Sequence, residues 1–299
     1  MKIKNQEISS TLLESNNIRL FIKRIDQNHD HISGNKLYKL KYNFIEAKNQ
    51  GLKSILTFGG AYSNHIAATA FLARKNGFKS IGIIRGEKYS TLNPTLNFAE
   101  YHGMSIHYTN RVNYKLKEDL IFLEKIKSKF GEFYLIPEGG TNDLAIKGTS
   151  EILDTNDIHD YVCCPVGTGG TIAGLINSSN EYQKLLGFPV MKGNDSLAES
   201  ILAWTNRDNY SLINDYHFGG YARIDDRLIE FIQDFHRIKL VPLDAIYTGK
   251  MMFAIMDLVA QNYFPKGSSI LAIHTGGLQG NRGINDRFGL TLPVNNKFL

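Results

Sequence analysis

The sequence predicts an α/β protein with two open, twisted, largely parallel sheets covered by helices, and three observations lead there. First, short apolar strands at 54–58, 80–84, 105–108 and 133–136 alternate with helical patterns near 62–76, 92–102 and 112–129. Alternation at this spacing implies parallel strands covered on both faces. Second, Pro137-Glu138-Gly139-Gly140-Thr141-Asn142 breaks the order and reads as a crossover between domains. Third, the alternation resumes with a helix near 145–155, a strand at 161–166, a glycine loop with its helix, and later elements up to a strand at 269–273. The chain of 299 residues is long enough for about two domains. The expected division is a larger domain from 1–45 with 143–299 and a smaller one from 46–142.

In chain order, residues 1–33 form a lead-in with one clear strand, Ile18-Arg19-Leu20-Phe21-Ile22-Lys23, whose alternation suits a sheet with one covered face. Asp26 to His31 is turn-rich. Its histidines and aspartates lack helical ligand spacing, so no metal site is expected. A helix opens at Lys36, directly after a Gly-Asn turn, with Leu37, Leu40, Phe44 and Ala47 on an inward face. Ile66 to Ala73 carries no charge around its circumference and must be a buried helix. The segment 280–285 reads as a loop.

Hydrophobic residues make up 42% and charged residues 21%, the range of soluble globular proteins. The net charge of +5, spread without basic blocks, suits anionic small molecules as well as nucleic acid and by itself selects neither; the partner expected from the motifs below is a small molecule and not nucleic acid. Cys163 and Cys164 are adjacent in an apolar run and act as small apolar residues of a reduced compartment. The opening Met1 to Glu7 lacks the apolar core of a signal peptide, and no window reaches the roughly 18 apolar residues that cross a bilayer. A cytoplasmic location is expected.

Five stretches carry chemistry. Lys36 flanks the apolar stripe with Lys39 one turn on; such a lysine either snorkels or, when desolvated, loses pKa toward the amine that attacks carbonyls. Gly167-Thr168-Gly169-Gly170-Thr171 joins a buried strand to a helix start, either as a structural turn or as a phosphate site made of close backbone and free N–H groups. Its spacing is neither the dinucleotide G-x-G-x-x-G nor a Walker A loop. Gly59 to His65 places Ser63 and Asn64 at another helix start, to cap it alone or to receive an anionic group as well. Asp244 to Lys250 and His274 to Gly277 put hydroxyl residues at carboxyl ends of strands, where α/β sheets expose their ligand crevice. Lys250 is expected to be a solvated helix residue, and His274 to be satisfied by backbone.

A reactive lysine, a phosphate loop without dinucleotide spacing and a carboxylate-receiving helix start together fit pyridoxal phosphate. On Gly34-Asn35-Lys36, Lys39-Leu40, Ser63-Asn64-His65, the loop 167–171, Tyr247-Thr248-Gly249-Lys250 and Thr275-Gly276-Gly277, the chain resembles the pyridoxal-phosphate enzymes of the tryptophan-synthase β-like fold (fold type II). Within them it is similar to the 1-aminocyclopropane-1-carboxylate deaminase and D-cysteine desulfhydrase group. The resemblance spans about Ile18 to Gly277. It implies a cleft between the two domains in which Lys36 holds the cofactor and then acts as base at Cα. It further implies that Asn64 bonds the cofactor's 3-hydroxyl, that Gly167, Thr168, Gly169, Gly170 and Thr171 hold its phosphate with Lys39 as an extra cation, and that Thr248 and Thr275 lie against the ring. Ser63 would receive the substrate carboxylate or assist proton transfer, with Asn64, His65, Tyr221 and Tyr247 facing the substrate and Tyr247 counted as catalytic. A homodimer is also implied.

The deaminase pattern has glutamate after the tyrosine and leucine before the final Gly-Gly, whereas this chain has Thr248 and Thr275. A carboxylate favours a protonated pyridine and a stronger electron sink; a hydroxyl leaves a weaker one. The threonines therefore favour α,β-elimination, with D-cysteine giving pyruvate, hydrogen sulfide and ammonia. The alternative is deamination of 1-aminocyclopropane-1-carboxylate to 2-oxobutanoate and ammonia. Tyr38 departs from the family, which usually has arginine there, and is expected to bear on substrate choice.

Overall fold

The computed structural model describes residues 3–88, 91–193 and 196–294; Met1 and Lys2 of the opening segment lie outside them. The chain begins with β1 (Asn5–Ile8), α1 (Thr11–Ser15) and β2 (Arg19–Lys23), and then enters α2 (Asn35–Asn49). The smaller sheet and its helices follow: β3 (Ser54–Gly59), α3 (Asn64–Lys75), β4 (Lys79–Arg85), α4 (Pro94–Tyr101), β5 (Met104–Thr109), α5 (Arg111–Tyr114), α6 (Leu120–Phe130) and β6 (Tyr134–Ile136). The remainder runs through α7 (Asp143–Thr149), β7 (Tyr161–Val166), α8 (Gly170–Ser178), β8 (Lys184–Pro189), α9 (Ser196–Leu202), β9 (Tyr210–Leu212), α10 (Asp226–Lys239), α11 (Thr248–Ala260), β10 (Ser269–Ile273) and α12 (Gln279–Phe288).

Two sheets result, one ordered β1-β2-β10-β7-β8-β9 and one ordered β5-β4-β3-β6. Every pairing is parallel except β1 with β2, where the chain end adds an antiparallel edge that sequence patterning did not mark. In β7 and β10 every residue is buried, as a strand covered on both faces requires. Alternation divides β7 between two cores. Cys163 and Tyr161 pack with Leu228, Ile232, Met251 and Ile255 of α10 and α11, whereas Val162, Cys164 and Val166 pack with Ile172, Leu175 and Ile176 of α8. Each fully buried leucine or isoleucine here contributes roughly 2 kcal/mol of transfer free energy. Both cysteines are free thiols within these cores.

On α2, Leu40, Phe44 and Ala47 are buried against Ile55 and Ile136, with Leu37 at the margin. The helix has to start at Gly34, whose φ is +82°, because a Cβ there would run into the carbonyl of Thr275. Asn35 N donates to that same carbonyl at 3.0 Å, which ties α2 to the loop after β10.

Three expected elements differ. The helix near 112–129 is two, because Asp119 accepts from Phe122 N and starts α6 afresh. The helix near 145–155 ends at Thr149. The segment 280–285 is helical: Asn281 is fully buried and donates to the carbonyls of Leu243 and Pro293, and Asn285 bonds both backbone groups of Leu292. Tertiary hydrogen bonds hold a helix whose glycines and asparagines read locally as loop. In the turn-rich segment, His29 Nδ1 accepts from the N–H groups of His31 and Ile32. Among the described residues no helix is long and apolar enough to cross a membrane.

Candidate active site

Asn35, Lys36, Lys39, Asn64, Gly167, Thr168, Gly169, Thr171, Tyr247, Thr275 and Gly276 border one narrow cleft, with Gly139, Pro165, Val166 and Ile172 completing its wall. A larger cavity, about 1040 Å³, opens beside α2 and is lined in part by Leu37, Tyr38, Phe44 and Ile45. It holds none of the converging polar groups, so size does not mark the site. Tyr38 belongs there. At two helical positions from Lys36 it lies on another face of α2 and is not among the residues that border the cleft.

Lys36 Nζ donates to Asn35 Oδ1 at 3.3 Å. Desolvation lowers its pKa from 10.5 to about 8, against a small opposing effect of the Cys164 thiol. Lys39 is buried, and its Nζ donates to Thr141 Oγ1 (2.6 Å), Gly139 O (3.1 Å) and Thr168 Oγ1 (3.4 Å). Burial, then repulsion from Lys36, holds its pKa well below the usual lysine value. Asn35 Nδ2 donates to Thr171 Oγ1 at 2.8 Å. The first turn of α2 is thus pinned to the start of α8, whose cap Gly169 is left-handed and supplies no side chain. A Cβ on Gly170 would stand 2.7 Å from Thr141 Cγ2 and 3.3 Å from Lys39 Nζ. A lysine and an uncapped helix N-terminus converge on space that glycine keeps open, an arrangement suited to an anion.

Across the cleft, Asn64 Oδ1 is buried without a hydrogen-bond partner among the described residues, and the Asn64 amide rests where a Cβ of Gly277 would be. Ser63 caps α3, accepting from Ile66 N at 3.4 Å, one residue outside the cleft lining. His65 is not brought to the cleft. It is buried behind Asn64 with Nε2 2.7 Å from Thr57 Oγ1, whose own proton goes to Ile136 O, so Nε2 carries the hydrogen. Burial, Lys36 and Lys39 keep this ring neutral.

Tyr247 stands over the glycine loop, 3.2 Å from where a Cβ of Gly167 would lie. Its pKa is well above the usual phenol value through burial and the neighbouring Tyr221, so its hydroxyl keeps its proton. Tyr221 packs edge-on to it at 6.2 Å, half-exposed at the rim and not in the lining. Thr248 is buried beneath the cleft, its hydroxyl donating to Asp244 Oδ2 at 2.7 Å. Thr275 is the hydroxyl residue that lines the cleft on this side.

Residues that sequence reasoning did not single out do much of the positioning. Asp244 is buried and gathers the N–H groups of Ile246, Tyr247 and Thr248, which sets the turn carrying Tyr247. Thr141 sat in a segment read only as a crossover. His274 Nε2 donates to Pro242 O and Nδ1 accepts from Gly276 N, in line with a backbone-satisfied residue.

A family model described as "Pyridoxal-phosphate dependent enzyme" matches residues 4–276. The chain belongs to the pyridoxal-phosphate dependent enzyme family. It is 30% identical over 292 residues to a Thermotoga maritima protein provisionally named 1-aminocyclopropane-1-carboxylate deaminase, covering 90% of this chain and 92% of the relative. Identity is also 30% over 297 residues to the mitochondrial bifunctional D-cysteine desulfhydrase/1-aminocyclopropane-1-carboxylate deaminase of Arabidopsis thaliana, over 89% of this chain and 74% of that one. A crystal structure of an ACC deaminase homologue superposes with a TM-score of 0.83 at 25% identity, covering 96% of this chain and 93% of the other.

The residues of this pyridoxal-phosphate enzyme fit the cofactor. The Gly170 cradle with Lys39 and Thr171 matches a phosphate, the unpartnered Asn64 oxygen matches a ring hydroxyl, and Lys36 with its lowered pKa matches the aldehyde.

Lys250 is not solvated. It is buried, and its Nζ donates to His217 O and Gly220 O, both at 2.8 Å. It thereby holds a loop in which Phe218, Gly219, Gly220 and Ala222 all have positive φ and which carries Tyr221. Lys250→Met leaves two carbonyls unsatisfied and is expected to cost about 2–4 kcal/mol in urea unfolding, with KM rising more than kcat falls. An unchanged unfolding midpoint would contradict this role.

Proposed function

We propose that this enzyme catalyses α,β-elimination on a small amino acid, with D-cysteine plus water giving pyruvate, hydrogen sulfide and ammonia. The observation that carries the reading is the chemistry of the lining: hydroxyls and amides border the cleft, Thr275 among them, and no carboxylate does so among the described residues. Pyridoxal phosphate, when bound, supplies an electron sink conjugated to the substrate Cα. Without an acid beside its ring that sink is a moderate one, adequate for expelling a leaving group such as hydrosulfide. Lys36 would hold the cofactor covalently and, when freed by substrate, would take the Cα proton. The α3 N-terminus with Ser63 and Asn64 receives the substrate carboxylate, and the protonated Tyr247 hydroxyl donates toward the substrate. Thr275, in the cleft lining, and Thr248, bonded to Asp244 below it, would be the hydroxyl residues on the ring side of the cofactor.

The names of the relatives support a second reading, deamination of 1-aminocyclopropane-1-carboxylate to 2-oxobutanoate and ammonia. Pyruvate and sulfide release from D- and L-cysteine, run beside 2-oxobutanoate release from the cyclopropane substrate, separates the two. The elimination reading expects D-cysteine to have the larger kcat/KM; release from neither cysteine would remove it. The same proposal includes the division into 1–45 with 143–299 and 46–142, the boundary falling within α2. It also includes a cytoplasmic homodimer, which sedimentation of the purified protein tests.

A further inference from the structure

The charged groups at the cleft rim remain without a part in the chemistry above. β3 and β4 run parallel with Gly59 beside Ile84, so the residue after that pair on β4, Arg85, stands next to the loop that leads from Gly59 into Ser63 and Asn64. Its Nη2 is 3.9 Å from where a Cβ of Gly60 would lie. The guanidinium covers the ring of Tyr114 at 5.5 Å. It is exposed and makes no ion pair or side-chain hydrogen bond among the described residues. Glu138, the acid of the same rim, is 3.6 Å from Lys117, which also covers Tyr114. Arg85 is therefore a positive charge of this rim without an acidic partner among the described residues. Burial raises the pKa of the Tyr221 hydroxyl, and its bond to Tyr247 and the positive charge of Arg85 oppose that rise. Tyr221 in turn packs on Tyr247 in the cleft lining.

We propose that Arg85 is a specificity-determining residue that receives an anionic group, a carboxylate, phosphate or sulfonate, on the substrate side chain while the start of α3 receives the α-carboxylate. This rests on the elimination reading and narrows its substrate class. A planar guanidinium forms paired, charge-assisted hydrogen bonds with such groups, and a position next to Gly60 leaves the approach unobstructed. Cysteine, with a neutral thiol, undergoes the same chemistry without this contact. With a phosphorylated serine the balance is complete. The Cα proton passes to Lys36, the Cβ–O bond breaks with its electron pair leaving on phosphate, and water then yields pyruvate and ammonia.

The test uses both enantiomers of O-phosphoserine and of neutral O-acetylserine on the holoenzyme, followed by pyruvate release. The expected kcat/KM ratio favours the phosphate ester by at least about tenfold, and Arg85→Gln collapses that ratio while leaving the acetyl ester within about twofold. Calorimetric titration of holoenzyme whose cofactor has been fixed by borohydride reads binding without turnover and should show the same selective weakening in Arg85→Gln. An unchanged ratio in the variant overturns the proposal. So does equal loss for both esters, which would assign Arg85 to the α-carboxylate. Turnover of neither ester and of neither cysteine enantiomer by a protein that carries the cofactor removes the elimination reading instead, and the calorimetric ratio then still decides Arg85.

Discussion

Lys36→Ala is expected to lower kcat by about 10³-fold or more and to abolish borohydride fixation of the cofactor, with the fold retained. The loss is large because one side chain has two tasks, covalent attachment and movement of the Cα proton. Lys39, one turn away, cannot replace it: its amine is committed to Gly139, Thr141 and Thr168. Retention of the fold follows from the sign of the pKa shift. A folded-state value near 8 against 10.5 means that folding disfavours the charged amine, so stability of the cofactor-free protein rises with pH between about 8 and 10.5. Below that window the buried charge is a burden, and its removal should leave the unfolding midpoint at pH 7 unchanged or raised. In the native protein, the rate at which added pyridoxal phosphate is captured should climb with an apparent pKa near 8. Capture that climbs only toward 10.5 would show an ordinary, solvated lysine, and substantial turnover by Lys36→Ala would move the chemistry to another residue.

What was legible in the sequence was local backbone chemistry. The buried strands declare themselves by apolar runs, and the glycine loops by residues that only close approach explains, as the positions of Gly34, Gly167 and Gly170 bear out. What was not legible was where residues off an apolar stripe come to lie. His65 follows Asn64 directly, yet about 100° of rotation turns it from the cleft into the contact with Thr57. Tyr38 is rotated about twice as far from Lys36 and lines the other cavity. The apolar stripe of α2 marks its buried face, but what its other faces meet depends on what packs across them, and no single stretch of chain records that. Long-range pairing hid the rest. Lys250 reads as an ordinary surface lysine until the carbonyls of His217 and Gly220 are folded over it. Asp244 reads as loop until its carboxylate is seen collecting three successive N–H groups.

The position of Lys36 in turn depends on Gly34, and Gly34→Ala should be the most damaging small substitution in the chain. Two separate penalties combine there. An L-residue at φ +82° is disfavoured by about 1–2 kcal/mol, and the added Cβ would occupy the place of the Thr275 carbonyl. Gly276 leaves no slack, since its own Cβ position lies 2.7 Å from Gly34 Cα; each glycine exists because the other backbone is in contact with it. The two segments of this contact both carry residues of the cleft lining, Lys36 on one and Thr275 on the other. Separating them should cost about 4 kcal/mol or more in urea unfolding and weaken cofactor binding in whatever protein still folds. Gly51→Ala supplies the control: φ there is +67° but nothing lies within 4 Å, so only the backbone penalty of about 1–2 kcal/mol applies and cofactor affinity should hold. If Gly34→Ala and Gly51→Ala lost equal stability, contact between the two backbones would not be what positions Lys36.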